Sequence, residues 1–203
     1  MKNYKPVLSL RPTQFSVGLY EVDFKVKELL MLSKRKRKKV IAANPIPVVI
    51  SPKGHCYLVD HHHFLFACVV AEVSEVKVNV IKDYSNKAKH RKMSFLMFWR
   101  VMHANNWTYL YDQFGDGPRQ ALYLPLDVLG MADDPYRSLA WLVRHQGGYE
   151  NSTKTFCEFE WSDFFRSKKL LDQHGREALN GVAKKAVKLA RSRAASKLPG
   201  FTG

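Results

Sequence analysis

The chain has 203 residues, of which 33 are lysine or arginine and 18 are aspartate or glutamate, so its formal net charge is +15. This charge favours polyanionic partners, such as nucleotides, nucleic acid or anionic surfaces, and the 46% hydrophobic content indicates a globular fold. No stretch approaches 18 uninterrupted apolar residues, the first residues lack an apolar signal segment, and the three cysteines have no paired spacing. We therefore expect a cytoplasmic protein without a transmembrane segment.

The N-terminal part of the chain predicts a strand, a polar loop and a helix. Residues 6–10 predict the strand, and the loop at residues 11–18 contains both a proline and a glycine. Arg11, Thr13 and Gln14 in this loop offer more hydrogen bonds than a plain connector needs. Apolar residues at helical spacing then predict a helix over residues 20–32, which carries Glu21 and other acidic residues.

A run of six basic residues follows this predicted helix. Its members are Lys34, Arg35, Lys36, Arg37, Lys38 and Lys39. Such a run is most often a solvated face. It can also hold phosphates by charge alone, and we expect it to lie beside the candidate anion site that comes next in the chain.

That candidate site is a polar cluster between a strand and a helix. Residues 47–50 and 56–59 predict a β-hairpin, and residues 64–72 are apolar enough for a buried helix. Between them stand Asp60, His61, His62 and His63. A helix N-terminus suits a phosphate because its first N–H groups are unpaired and its dipole is positive.

Structural roles for the same residues remain open. Asp60 is a natural N-cap, and a histidine is often structural or solvated. Three adjacent histidines cannot all serve one core contact, because consecutive helical residues point about 100° apart. No HExxH or CxxC spacing completes a metal shell, so we do not expect these residues to form a structural zinc site.

The alternating strand predicted at residues 76–82 closes a compact α+β unit, a small sheet with helices, by about residue 86. Helices predicted at residues 92–105, 124–130 and 136–145 form a helical extension. Asp133, Asp134 and Pro135 predict the start of the last of these helices, and Gly147 and Gly148 predict its end. We therefore divide the chain into a domain at residues 1–86, an extension at 87–170 and a basic helical tail at 171–203. No GxGxxG or GxxxxGK[ST] motif supports a dinucleotide fold or a P-loop.

Two features of the helical part bear on function. Arg137 and Arg144 share one helix face, where they would grip a phosphate or carboxylate, or else pair with a nearby glutamate. The glutamates in question are Glu150, Glu158 and Glu160. The basic amphipathic helix predicted at residues 175–197 suits nucleic acid, an acidic partner or a membrane surface, or else frays in solvent.

Several spaced motifs, in order along about residues 4–168, resemble those of one family. They are LRPTQ at residues 10–14, DHHH at 60–63, DDPYRSLA at 133–140, GGY at 147–149 and EFEW at 158–161. Together they resemble the ParB-like putative nuclease family of the ParB/sulfiredoxin superfamily.

The resemblance implies a ParB/sulfiredoxin-type fold for roughly the first 86 residues. It also implies that residues 60–63 form a turn that holds nucleotide phosphates and that residues 11–18 flank the nucleotide. This turn lacks the cysteine of sulfiredoxins, so sulfinic acid repair is not expected. It also lacks the arginine of ParB proteins, so Arg11, Arg137, Arg144 or the basic run would have to meet the phosphate charge.

Two functions follow from these observations. The first is a phosphoryl-transfer or phosphodiester-hydrolysing enzyme, a phosphotransferase, ATPase or nuclease, that uses Mg²⁺ and a nucleoside triphosphate. In this enzyme His62 or His63 would bind phosphate or act as general acid. The carboxylate that holds Mg²⁺ or acts as general base would come from Asp60, Glu21 or Asp23. The alternative is a DNA- or RNA-binding module without catalysis that uses the basic run and the tail.

Overall fold

The computed structural model describes residues 3–86, 88–90, 93–171 and 178–203. Its helices are α1 (Leu19–Met31), α2 (Lys34–Ala43), α3 (His62–Val70), α4 (Phe95–Ala104), α5 (Pro135–His145), α6 (Cys157–Ser167) and α7 (Leu179–Ala190). Its strands are β1 (Tyr4–Pro6), β2 (Leu10–Arg11), β3 (Ser16–Val17), β4 (Ile46–Ile50), β5 (Cys56–Leu58), β6 (Glu75–Asp83) and β7 (Ala132–Asp133). No helix within these residues is long and apolar enough to cross a membrane.

Five strands form a mixed sheet in the order β1-β6-β4-β5-β2. The pairs β1–β6 and β4–β5 are antiparallel, whereas β4–β6 and β2–β5 are parallel. Strands β3 and β7 form a separate two-stranded sheet. A mixed sheet accompanied by helices confirms the predicted α+β class.

The predicted hairpin is present as β4 and β5. Val48 pairs with Leu58 and Ile50 with Cys56, and Gly54 in the connecting turn has a φ of +82°, which glycine adopts without steric cost. Strand β5 ends at Leu58 and α3 begins at His62. The polar cluster therefore lies at a strand-to-helix junction, as its sequence predicts.

Two predicted elements differ from the structure. Residues 6–10 do not form one strand: a 3₁₀ turn at Val7–Ser9 separates β1 from β2, and the Ser9 hydroxyl donates to the Pro6 carbonyl at 2.7 Å. Residues 124–130 do not form one helix, since 3₁₀ turns lie at Ala121–Tyr123 and Val128–Gly130. Pro125 falls between these turns, and proline cannot donate the backbone hydrogen bond of a helix interior.

Contacts between residues divide the chain into two compact units. The first comprises Met1–Ser16, Val22–Asp112 and Asp116–Ala132, and the second comprises Val17–Glu21, Gln113–Gly115 and Asp133–Gly203. The five-stranded sheet belongs to the first unit. The division predicted from sequence, at residues 86 and 170, stays a prediction.

The second unit packs helices α5, α6 and α7 around a common core. Tyr149 and Trp161 stack there with ring centroids 4.1 Å apart. The predicted helix at residues 175–197 is represented by α7, and residues 175–177 lie outside the described residues. The apolar face of α7 is buried in this core, and its lysines are exposed. The basic helix is thus packed along one face and solvated along the other.

The three cysteines give a first test of this packing. Cys56, Cys68 and Cys157 are buried as free thiols, and burial raises the pKa of each, to about 12 for Cys68. Because the thiolate is the reactive form, we expect none to react with a disulfide reagent at about pH 8 in the folded protein and all three to react after unfolding in guanidinium. Rapid reaction of Cys68 in the folded protein would contradict the structure.

Candidate functional site

The candidate site is the turn between β5 and α3. His61 is the N-cap residue of α3, has a left-handed backbone (φ 65°, ψ 27°) and makes no side-chain capping bond. Asp60 is exposed, and its carboxylate accepts the N–H of His61 at 2.6 Å. The prediction that Asp60 caps the helix is therefore wrong, because it lies one residue before the cap. The N-cap residue of α3 therefore contributes no capping side chain.

His62 is the buried member of the cluster, with 5% of its surface exposed. Its Nε2 accepts the backbone N–H of Thr13 at 3.2 Å and lies 3.4 Å from the Thr13 hydroxyl oxygen. A ring nitrogen that accepts carries no proton, so the proton of a neutral His62 sits on Nδ1. This imidazole therefore links the turn to the loop at residues 11–18.

Thr13 ties the same loop to two further parts of the first unit. Its hydroxyl donates to the Leu58 carbonyl at 2.8 Å, at the end of β5. Its own carbonyl accepts from the Thr108 hydroxyl at 2.8 Å and from the Tyr109 N–H at 3.0 Å. Thr108 was not predicted, and no local pattern marks it, since it lies 95 residues from Thr13 in sequence. The polar groups of Thr13 thus serve the architecture of the site.

The remaining predicted residues of this region differ in exposure and surroundings. Gln14 is 7% exposed and donates to the Ser16 carbonyl within its own loop. His63 lies half-buried in the first turn of α3. Arg11 is half-buried in β2. Burial lowers the pKa of His55, which directly precedes β5, and the positive charge of Arg11 lowers it further. His61, His63 and the exposed Asp60 are therefore the side chains of the turn that are nearest to solvent.

The basic run forms the first six residues of α2. Arg37 donates from Nε to the Leu29 carbonyl at 2.9 Å and from Nη1 to the Ala71 carbonyl at 3.4 Å. Ala71 is the C-cap of α3, about 13 Å along the helix axis from the turn. The structure therefore places the run at the opposite end of α3, not beside the turn.

The second unit holds the other predicted residues. Glu21 is 6% exposed in the first turn of α1. Arg137 and Arg144 both bind Glu158, with Nη2 to carboxylate distances of 3.0 and 2.7 Å. Arg137 is 5% exposed and its guanidinium lies 4.0 Å from the ring centre of Phe159. Of the two roles considered for these arginines, the structure shows the ion pair with a glutamate.

Asp134 begins α5 as its sequence predicts. It is the N-cap, and its Oδ1 accepts the N–H groups of Tyr136 and Arg137 at 2.9 and 3.3 Å. Its Oδ2 accepts from Arg166 at 2.6 Å. Burial raises the pKa of Asp134, and the neighbouring arginines oppose that shift. Among the described residues, no group of three or more His, Cys, Asp or Glu side chains is placed to hold a metal ion.

Residues 5–167 match the model of a family described as putative ParB-like nuclease. The chain belongs to this family. The match includes the turn, the loop fastened to it and the Arg137–Glu158 pair. Membership in the ParB-like nuclease family indicates a nucleic-acid-related function.

A solved structure agrees with this membership of the ParB-like nuclease family. The crystal structure of protein Atu1540 from Agrobacterium tumefaciens is 34% identical in sequence and superimposes with a TM-score of 0.84. The similarity covers 98% of this chain and 97% of that one. A comparison with curated proteins finds no match.

The link between His62 and Thr13 can be tested by substitution. His62→Phe keeps an aromatic ring but leaves the buried Thr13 N–H without its acceptor, so we expect a loss of about 1–3 kcal/mol in the free energy of unfolding. The measurement is urea denaturation followed by circular dichroism. His62→Gln offers an acceptor in place of the ring and should lose less, so an equal loss in both variants would show that the hydrogen bond contributes little.

The shared glutamate of the second unit allows a matched comparison. Glu158→Gln leaves the buried Arg137 without a carboxylate, so we expect a loss of about 3 kcal/mol in unfolding free energy. Glu160→Gln, on the same helix, removes the partner of the exposed Lys154 and should cost less than about 1 kcal/mol. Urea midpoints that fall equally in the two variants would contradict a special role for Glu158.

Proposed function

We propose that this protein binds a phosphate group of a nucleotide at the turn formed by Asp60, His61, His62 and His63. The observation that carries the proposal is that three residues separate the end of β5 from the start of α3 and that the N-cap residue of α3, His61, makes no side-chain capping bond. The N-terminus of a helix concentrates partial positive charge on backbone N–H groups that receive no carbonyl from within the helix. A phosphate oxygen is a natural acceptor for such groups.

The backbone of His61 supports the same proposal. A left-handed conformation costs a residue other than glycine roughly 1–2 kcal/mol, and such strain concentrates at functional sites. The imidazole of His61 therefore occupies the N-cap position, where a capping side chain would otherwise stand. An imidazole donates hydrogen bonds in both of its common charge states, so His61 and the half-buried His63 are suitable phosphate partners.

The surroundings of the turn support a rigid site. His62 accepts from Thr13, and Thr13 in turn holds the end of β5 through Leu58. A site fixed before the ligand arrives loses little entropy on binding. His62 is therefore a positioning residue in this proposal, not the general acid considered from its sequence.

The turn offers one carboxylate that suits Mg²⁺ bound to a nucleoside triphosphate. Mg²⁺ is usually held by one or two carboxylates together with the phosphates of its nucleotide, and Asp60 offers one exposed carboxylate. When bound, the ion would supply charge neutralisation for phosphoryl transfer. Asp60 would then orient the metal–nucleotide complex, while His61 and His63 would hold the phosphate. Phosphotransfer, ATP hydrolysis and phosphodiester cleavage would each begin from this bound state.

Substitution of His61 tests the proposal with a matched pair. Asp and Asn both tolerate the left-handed conformation, so His61→Asp and His61→Asn differ chiefly in charge. We expect ATP, ADP or CTP with Mg²⁺ to bind the unaltered protein, and His61→Asp to bind at least about tenfold more weakly than His61→Asn, because a carboxylate repels phosphate.

Isothermal titration calorimetry measures these affinities, and chromatography of the same samples identifies any product. Released phosphate or diphosphate would name the reaction. Equal affinity in the unaltered protein and both variants would place the nucleotide elsewhere. No heat with any nucleotide, in protein shown by circular dichroism to be folded, would overturn the proposal.

A further inference from the structure

We propose that α2 is a second, independent site, which binds duplex DNA by lying in its major groove. Five cations of α2 are exposed, namely Lys34, Arg35, Lys36, Lys38 and Lys39, and Ile41 is the buried residue of the helix. At 100° per residue, the five exposed cations cover about 200° of the circumference of the helix. Arg37 and Ile41 occupy the remaining arc and face the protein.

Arg37 differs from its neighbours because it fastens the helix. Its guanidinium bonds the carbonyls of Leu29 in α1 and Ala71 at the end of α3. Both carbonyls lie near helix C-termini, where partial negative charge favours a cation. The Ser33 hydroxyl accepts the Lys36 N–H and caps the start of α2. The five remaining cations are therefore presented on a fixed helix and not on a loose segment.

The charges of α2 are arranged unfavourably for the free protein. Lys34 and Lys38, and likewise Arg35 and Lys39, are like charges four residues apart, each pair costing a few tenths of a kcal/mol. The first turn contains no acidic residue, so its cations also oppose the helix dipole. A polyanion bound along this surface would relieve both effects.

The width of the charged arc favours duplex DNA over other polyanions. A helix 10–12 Å across fits the major groove, which is about 12 Å wide and has phosphates along both walls. Cations spread over about 200° can contact both walls, whereas a flat anionic membrane faces only part of that arc. The A-form major groove of RNA is too narrow for a helix. α2 contains no aromatic residue on which single-stranded bases could stack.

Two exposed apolar side chains beside α2 make a membrane surface the competing partner. Leu30 and Met31, at the end of α1, are 55% and 85% exposed. Exposed apolar side chains beside lysines are also what a peripheral membrane site uses. Vesicles of equal phosphatidylserine and phosphatidylcholine content therefore belong in the test.

The test is fluorescence anisotropy of the full chain with labelled duplex DNA of about two helical turns, from about 50 to 200 mM NaCl. The variant is Lys34→Gln/Lys38→Gln, since glutamine preserves helix propensity. Lys184→Gln/Lys188→Gln, which removes the same charge from the exposed face of α7, is its matched control. We expect the α2 variant alone to weaken binding at least about tenfold and to reduce the slope of log affinity against log salt by about 1.8.

Several outcomes would overturn the proposal. They are an equal loss in the two variants, no loss in the α2 variant, single-stranded DNA of the same length binding as tightly as the duplex, or tighter binding to the vesicles. A small molecule that fills the minor groove of the duplex should leave the affinity of the protein for DNA unchanged. A small molecule that fills the major groove should displace the protein. The proposed nucleotide site lies at the other end of α3, so the α2 variant should keep its affinity for nucleotide. Nucleotide titration of this variant therefore tests the two proposals separately.

Discussion

The hydrogen bond from the Thr13 N–H to Nε2 of His62 is the constraint on which the candidate site depends. It joins residues 49 positions apart and fixes the first turn of α3 against the loop at residues 11–18. Through the carbonyl of Thr13, the same loop is held by Thr108 and Tyr109, which follow α4. Segments from three parts of the first unit therefore determine the shape of a turn that is only four residues long.

Local patterns predicted much of the fold because they depend on neighbours in sequence. The run at residues 47–59 contains β-branched residues on both sides of a Pro/Gly turn, and it forms the β4–β5 hairpin. Asp134 followed by Pro135 marks the start of α5, and Gly147, with a φ of +76°, follows its end. The strand-to-helix junction at the polar cluster follows from the same kind of signal.

The features that sequence did not predict depend on contacts between distant residues or on a shift of one residue. Asp60 resembles an N-cap, yet the left-handed backbone of His61 moves the cap one position along. The spacing of Arg137 and Arg144 predicts a shared helix face, but it does not distinguish a bound phosphate from a paired glutamate. The fold decides this, because Glu158 binds both arginines. For Thr108 no pattern exists, because a single hydroxyl carries no periodicity.

The buried face of α7 affects how the basic C-terminal segment can be studied by truncation. Leu179, Ala183, Ala186 and Ala190 belong to the same core as Trp161, so a chain shortened before α7 would expose apolar surface of α5 and α6. Such a truncated chain would lose core packing of the second unit together with the positive charge of α7. A change in its behaviour toward polyanions would then reflect unfolding as much as lost charge, which makes charge-only substitutions on the outer face the cleaner experiment.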